Sequence, residues 1–180
     1  MTGTEHTGNR ILGRLRSDGG QGVVTVQDRF HTDIDDLWSA ITDPARLARW
    51  LGEIEGDLRL GGEFRAHFSL ASGWEGTGRV EVCEPPRRLL VRTVDDVHKE
   101  EQFIEATLTA DGDHTIFTWE ERGLPARLLA PYGAGIQAQV EDLGAYLAGR
   151  QGNDFGTRWS ELHPAYEELA ASAIQPGSTR

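Results

Sequence analysis

The sequence predicts an α+β protein in which a curved antiparallel sheet wraps around a long helix near the C-terminus. Six segments of strand-like composition follow one another between residues 52 and 122, separated by turn residues. In the segment at 62–70, Phe64, Phe68 and Leu70 share one face, which is therefore apolar. Apolar residues then recur at steps of three and four positions from Leu129 to Leu147, as in an amphipathic helix. We expect this helix to cover the apolar face of the sheet.

The N-terminal part predicts a leader, one strand and two short helices. Residues 1–21 are polar and rich in glycine, and we expect a flexible leader there. Residues 23–30 alternate between apolar and polar side chains, which predicts a strand. Thr32 and Asp35 resemble a capping box at the start of a short amphipathic helix. Asp43 ahead of Pro44 predicts the N-cap of a second short helix.

The strands that follow are separated by residues that favour turns. Gly61-Gly62 suits a tight hairpin, Pro85-Pro86 ends a strand, and Asp111-Gly112 suits a type I′ turn. Short connections of this kind join antiparallel neighbours, so we expect a meander. The predicted strands cover residues 52–58, 62–70, 74–83, 88–95, 98–109 and 114–122.

The C-terminal part predicts the long helix and one further helical element. Gly133 and Gly135 each weaken a helix by about 1 kcal/mol relative to alanine, so we expect the first half of the long helix to be kinked or mobile. A last apolar stripe begins at Trp159, and Pro164 is expected to start a fresh helical turn. The predicted organisation is a flexible leader at 1–21, one domain at 22–172 and a flexible tail at 173–180.

Composition and charge argue against several classes of partner. The chain has 180 residues, a net charge of −11 and a pI of about 4.9, so its surface would repel nucleic acid and anionic lipid. No apolar run is long enough for a membrane-spanning helix. Cys83 is the only cysteine, and the first residues lack the pattern of a signal peptide. We expect a cytoplasmic monomer or weak dimer with no nucleic-acid or membrane partner.

The sequence offers little for metal binding or catalysis. His98 and Glu100 share one strand face, but a tetrahedral site needs three or four ligands and no further one is evident. No nucleophile motif surrounds Cys83 or any serine. Glu120 lies beside Trp119 near the expected cavity, although strand alternation turns it outward. We expect no catalytic residue, no metal site and no cofactor.

Aromatic side chains are better candidates for a binding role. By strand alternation or helical phase they point into the space between sheet and helix, where flat rings can stack on a flat ligand. The same positions also suit ordinary core packing. The predicted ligand-binding residues are Phe64, Phe68, Trp74, Phe117, Trp119, Tyr132 and Ile136.

Several stretches, in order along the chain from about residue 23 to residue 149, carry a resemblance to one known family. They include 37–44 (LWSAITDP), 47–50 (LARW), 56–64 (GDLRLGGEF), 78–80 (GRV), 84–89 (EPPRRL), 123–125 (GLP) and 143–147 (LGAYL). In these the chain resembles the START-like (SRPBCC) superfamily, and within it the family related to the activator of the Hsp90 ATPase. The resemblance implies a helix-grip fold of the Bet v 1-like kind.

What the resemblance implies about function is broad. The superfamily includes lipid carriers, aromatase and cyclase domains, regulators, and proteins that protect antibiotic producers from their own product, among them proteins that sequester enediynes. A shared fold does not choose among these roles. Two features depart from the family pattern. The glycine-tryptophan pair often found early in the last helix is Gly135-Ile136 here, and the histidine often found after the last strand is replaced by residues 120–123 (EERG).

The leading hypothesis is non-catalytic binding of a hydrophobic small molecule, aromatic or polyketide-like, with antibiotic sequestration or self-resistance as one such role. In an enediyne version, a diradical abstracts a hydrogen from a glycine Cα, because the resulting radical is stabilised and no side chain shields it. Gly112 is the candidate we place first, with Gly133 and Gly135 as further ones.

Two alternatives come from other functional classes. A cyclase or hydrolase would act on a bound metabolite with Glu120, His98 or His67 as acid and base. A chaperone-linked partner-binding module would agree with the family resemblance, although no long charged docking segment stands out in the sequence.

Overall fold

A computed structural model of the chain describes residues 10–68, 73–97 and 99–174. The strands are β1 (Gly13–Asp18), β2 (Gln21–Phe30), β3 (Glu53–Gly56), β4 (Glu63–Phe68), β5 (Trp74–Glu84), β6 (Arg88–Asp95), β7 (Glu101–Asp111) and β8 (His114–Pro125). The helices are α1 (Ile34–Thr42), α2 (Pro44–Leu47), α3 (Leu129–Leu147) and α4 (Phe155–Ile174), and a 3-10 turn, Ala126–Leu128, precedes α3.

All eight strands form one antiparallel sheet in the order β1-β2-β8-β7-β6-β5-β4-β3. From β3 to β8 the strands form the predicted meander, and β2 pairs with β8 because α1 and α2 carry the chain from β2 to the far edge of the sheet. The sheet curves around α3, which contacts β1, β2 and β8. The predicted α+β helix-grip fold, a curved antiparallel sheet around a long C-terminal helix, is confirmed.

The hydrophobic core lies between the inner face of the sheet and α3. Val24 and Val26 on β2 and Phe117 on β8 are fully buried, as are Val140 and Leu143 on α3. Burial of each such side chain contributes roughly 1.5–3 kcal/mol relative to exposure. The apolar face of the sheet and the apolar stripe of α3 therefore pack against each other, as the sequence predicts.

The expectation of a flexible leader over residues 1–21 is wrong for residues 13–18, which form β1. This strand pairs with β2, and Gly19 and Gly20 take the positive φ angles of the turn between them. Ile11, Leu12 and Leu15 supply the apolar contacts that hold the segment on the core. Residues 1–9 lie outside the described residues.

The two short helices follow the prediction except at one cap. Asp33, and not Thr32, is the N-cap of α1, where its side chain accepts a hydrogen bond of 2.8 Å from the backbone N–H of Asp36. Asp43 caps α2 with Pro44 at its first position, as predicted. Acidic residues in the first turn of α1 suit the positive end of the helix.

Helix α4 is longer than predicted and packs on α3. It begins at Phe155, and Pro164 lies inside the helix instead of starting a new turn. Leu162 and Tyr166 are fully buried. The expected flexible tail at 173–180 is wrong for Ala173 and Ile174, which belong to α4, and residues 175–180 lie outside the described residues.

Candidate ligand-binding cavity

A cavity of about 670 Å³ lies between the inner face of the sheet, α3 and α4. Strands β4 to β8 supply one wall, the first half of α3 supplies another, and the start of α4 completes it. The lining residues are Phe68, Gly73, Trp74, Glu75, Asp95, Asp96, Val97, Gln102, Ile104, Glu121, Pro131, Tyr132, Gly135, Ile136, Gln139, Phe155, Gly156 and Trp159.

Four of the seven predicted ligand-binding residues line this cavity. Phe68 at the end of β4 and Trp74 at the start of β5 are cross-strand partners, and their rings stack with centroids 5.0 Å apart and an interplanar angle of 23°. Tyr132 and Ile136 come from α3, one helical turn apart. The cavity wall therefore offers the flat aromatic surfaces that the sequence predicts for this space.

The other three predicted residues, Phe64, Phe117 and Trp119, line a separate cavity of about 70 Å³. Phe117 and Trp119 meet edge to face, with centroids 6.4 Å apart, and Trp119 makes a similar contact with Trp50. A space of this size holds a few water molecules at most. In this structure the three residues belong to the core, next to the larger cavity and not on its wall.

Glu121 is one of the lining residues that the sequence analysis does not single out. It follows Phe117 and Trp119 on the inner face of β8, whereas Glu120 points outward and pairs with Arg122 at 2.8 Å. Only 6% of Glu121 is exposed, and its Oε1 atom accepts a hydrogen bond of 3.0 Å from Trp119 Nε1. Burial raises the pKa of Glu121 to about 7, against the lowering effect of the Trp119 hydrogen bond.

Uncharged polar groups line the same cavity as this carboxyl group. Gln102, 3% exposed on β7, and Gln139, 7% exposed on α3, line the same cavity. Gln102 Nε2 lies 3.4 Å from the hydroxyl oxygen of Tyr132. Burial raises the pKa of Tyr132, and the Gln102 hydrogen bond opposes that shift. The cavity therefore combines aromatic walls with a small set of buried polar groups.

Paired charges and one apolar residue form the rim. Asp96 accepts a hydrogen bond of 2.6 Å from Arg65, and Glu75 lies 2.6 Å from His67 Nδ1. Val97 is 81% exposed and belongs to the lining. An exposed apolar side chain at the rim suits contact with an apolar ligand that approaches from solvent.

The structure places the self-cleavage candidates in different surroundings. Gly112 sits in the β7–β8 turn with a positive φ of 64° and lines neither cavity. Gly133 lies on α3 against the ring of Tyr166. Gly135 lines the larger cavity, and atoms of Phe155 and Trp159 lie 3.7 and 3.9 Å from where a Cβ would stand.

The residues predicted as a possible acid and base do not lie together in the structure. Glu120 lies on the outer face of the sheet, His67 is at the cavity rim, and His98 lies outside the described residues. Within residues 10–68, 73–97 and 99–174, no group of three or more His, Cys, Asp or Glu side chains could hold a metal ion. In the same part of the chain no helix is both long enough and apolar enough to span a membrane.

The curved sheet, the long helix and the cavity between them define a helix-grip protein. Residues 31–148 match the model of one family, the Activator of Hsp90 ATPase homolog 1-like proteins. The chain therefore belongs to this family, and the resemblance read from the sequence is confirmed. No curated protein sequence matches the chain.

Three solved structures of similar proteins cover between 73% and 93% of the chain. The crystal structure of CalU16 from Micromonospora echinospora has 28% sequence identity and a TM-score of 0.73, over 88% of this chain and 95% of CalU16. DynU16, a protein in the dynemicin biosynthetic locus, has 29% identity and a TM-score of 0.66, over 73% of this chain and 50% of DynU16. EF2215 from Enterococcus faecalis, a conserved protein of unknown function, has 13% identity and a TM-score of 0.72 over 93% of this chain and 95% of EF2215, a likeness of fold alone.

Proposed function

We propose that this chain binds a hydrophobic small molecule, aromatic or polyketide-like, in the cavity between the sheet, α3 and α4, and does not convert it. The observation that carries the proposal is a cavity of about 670 Å³ beside the stacked rings of Phe68 and Trp74. Pockets for small organic ligands have volumes of about 300–1,000 Å³. Burial of roughly 300 Å² of apolar ligand surface would contribute about 7 kcal/mol before the entropic cost of association, which is compatible with micromolar affinity.

The similarity to DynU16 supports a natural product as the ligand, because DynU16 belongs to a biosynthetic locus. A protein that encloses such a compound would lower its free concentration in the producing cell. Antibiotic sequestration or self-resistance is therefore the form of the proposal that we favour.

Native mass spectrometry of the protein mixed with a metabolite extract of its source organism tests this proposal. We expect one small molecule retained at one-to-one stoichiometry and recovered unchanged. Trp74→Ala should weaken retention, whereas Phe103→Ala, which removes an aromatic ring outside the cavity lining, should not. If no mass is retained and tryptophan fluorescence does not change, the proposal is wrong and the partner-binding alternative gains support.

For a reactive enediyne ligand, the proposal extends to self-sacrifice at a cavity glycine. Gly135 replaces Gly112 as our candidate because Gly135 lines the cavity and Gly112 does not. The Cα–H bond would break, the hydrogen atom would pass to the ligand diradical, and the glycyl radical would combine with dioxygen before the chain is cleaved. Intact-mass analysis after exposure to an enediyne should give cleavage at one glycine, and Gly135→Ala should suppress it. Cleavage that is absent or spread over many sites would contradict this extension.

A cyclase or hydrolase is the second proposal, and Glu121 is the observation that favours it. A carboxyl group buried in a cavity wall, with a pKa of about 7, has the properties of a general acid or base. An enzyme would accumulate more than one equivalent of product per protein, and Glu121→Gln would abolish that turnover. Retention of an unchanged ligand would favour binding without catalysis.

A further inference from the structure

Glu121 is a buried acid whose polar partners do not satisfy it. Its Oε1 atom accepts the hydrogen bond from Trp119 Nε1, and Oε2 has no hydrogen-bond or salt-bridge partner among the described residues. Only 6% of the residue is exposed, and it lines the cavity. Buried acids in proteins are normally paired or fully hydrogen-bonded, because an isolated charge out of water is costly. The free oxygen of Glu121 therefore points to a partner that the cavity admits from outside.

The charge of the cavity wall indicates what kind of partner this is. Among the described residues, four acids line the cavity, Glu75, Asp95, Asp96 and Glu121, and no lysine or arginine does. Glu75 and Asp96 have cationic or titratable partners at the rim, His67 and Arg65. Glu121 has no such partner in the part of the chain that the structure describes. The field inside the cavity therefore favours a cation and disfavours an anion.

The described residues on the elements packed against Glu121 provide no cation either. Its cross-strand neighbours are Val24 on β2 and Ile104 on β7. Other titratable groups near this wall are Tyr132 on α3, Asp95 on β6 and Glu100 ahead of β7, and all of them are acids. Arg122, the next residue on β8, points to the outer face, where Glu105 and Glu120 bind it.

We propose that the cavity selects ligands that carry a protonated amine on an aromatic ring system, with the amine paired to the Glu121 carboxylate. This inference rests on the proposed binding function and adds the chemical class of the ligand. Rings would contact Phe68, Trp74 and Tyr132, and the ammonium group would donate to the free oxygen of Glu121. A hydrogen bond between charged groups is stronger than one between neutral groups, so the amine should determine affinity among ligands of equal size.

Three naphthalene probes of equal ring size test this inference: 2-naphthylmethylamine, 2-naphthalenemethanol and 2-naphthoate. Isothermal titration calorimetry at about pH 8 measures their affinities, because at that pH Glu121 is mostly ionised and an alkyl amine keeps its proton. We expect the amine to bind at least about tenfold more tightly than the alcohol, and 2-naphthoate to bind more weakly than either. At about pH 5.5, where Glu121 is protonated, the advantage of the amine should disappear.

Two variants on β8 distinguish the effect of the acid in the cavity from that of a charge on the protein surface. Glu121→Gln keeps the shape and an acceptor for Trp119 but removes the charge, so the ratio of the amine's affinity to that of the alcohol should fall to about one. Glu120→Gln removes an equal charge on the outer face, and the preference for the amine should remain. The inference is overturned if the alcohol binds as tightly as the amine, or if Glu121→Gln leaves the preference intact. In both cases binding of the alcohol still supports the proposed function, whereas failure of all three probes overturns both.

Discussion

At the scale of single residues, Glu121 links the cavity to the stability of the protein. The pKa of its carboxyl group rises from 4.5 to about 7 because burial penalises the charged form. Between these two values the unfolded chain has lost the proton and the folded chain keeps it. The free energy of unfolding therefore falls as pH rises through this range, and the contribution of the neutral acid is lost above about pH 7.

Glu121→Gln should remove this dependence. We expect the variant to be more stable than the wild type at about pH 8.5 by up to about 3 kcal/mol, since one pKa unit corresponds to about 1.4 kcal/mol. Below about pH 3.5 the two proteins should be equally stable, because Glu121 is then protonated in both the folded and the unfolded wild-type chain. Urea unfolding at a series of pH values measures the difference. Glu120→Gln is the control, and it should not reproduce the pH-dependent gain. Parallel wild-type and Glu121→Gln curves at all pH values would contradict the raised pKa.

At the scale of secondary-structure elements, two glycines in α3 have opposite steric surroundings. A Cβ at Gly133 would overlap the ring of Tyr166, whereas a Cβ at Gly135 would make ordinary contacts at 3.7 and 3.9 Å. Both glycines lie inside the helix, so alanine at either site gains about 1 kcal/mol of helix propensity. The difference in the free energy of unfolding between the Gly133→Ala and Gly135→Ala variants therefore measures packing against α4 alone.

Gly135→Ala should raise the free energy of unfolding by about 0.5–1 kcal/mol. Gly133→Ala should lower it by about 1–2 kcal/mol, because the cost of overpacking against Tyr166 exceeds the gain in propensity. Urea unfolding of the two variants, measured side by side, gives both values. Equal effects of the two substitutions would mean that Tyr166 does not hold α4 against this part of α3.

Gln137 on α3 connects the N-terminal segment to the rest of the fold. Its side chain accepts from the backbone N–H of Leu12 at 2.9 Å and from the Tyr166 hydroxyl at 2.6 Å, and it donates to the carbonyl oxygen of Arg10 at 2.7 Å. The side chain is fully buried. These bonds attach the residues before β1 to the same helix that carries the cavity wall.

Gln137→Ala should destabilise the protein by about 3–5 kcal/mol, because it leaves buried donors and acceptors without partners. We expect local unfolding of the N-terminal segment before the rest of the fold is affected. Hydrogen exchange at the amides of β1 should therefore accelerate more than exchange in β7 and β8. Gln151→Ala, in an exposed connection, is the matched control and should change stability by less than about 0.5 kcal/mol. Uniform acceleration across the sheet would argue against this local role.

These contacts explain which elements the sequence could predict. The strands from β3 to β8 and helix α3 follow from alternation and helical periodicity, which are local patterns. Strand β1 carries few apolar residues, and its stability depends on Gln137 and Tyr166, more than 120 positions away. Local sequence patterns do not reveal such long-range hydrogen bonds. The sequence of this segment therefore predicts a flexible leader.

The cavity wall was predictable in part for a similar reason. Strand alternation directs Phe68 and Trp74 to the inner face, where both line the cavity, and the same alternation directs Glu121 to that face beside Trp119. Adjacency to Trp119 along the chain points to Glu120, whereas strand phase points to Glu121. Phe155 and Trp159 could not be assigned, because their place in the wall depends on how α4 docks on α3, which their own sequence does not specify.

At the scale of the whole molecule, the cavity is built partly from outside the segment that matches the family model. That segment ends at residue 148, whereas α4 supplies Phe155, Gly156 and Trp159 to the wall. Trp159 also ties the two helices together, since its Nε1 donates a hydrogen bond of 3.0 Å to the carbonyl oxygen of Pro131 in α3. Ligand specificity in this chain should therefore depend on α4 as well as on the sheet.

Trp159→Ala tests this dependence. The substitution removes an aromatic surface from the cavity wall and the hydrogen bond to Pro131, so we expect the affinity for 2-naphthalenemethanol to fall about tenfold, mostly through faster dissociation. Stopped-flow fluorescence, with Trp74 in the wall as the reporter, measures the rates. Leu169→Ala, on the exposed side of α4, should leave them unchanged. If Trp159→Ala binds like the wild type while circular dichroism shows an intact fold, α4 supports the core but contributes nothing to the ligand site.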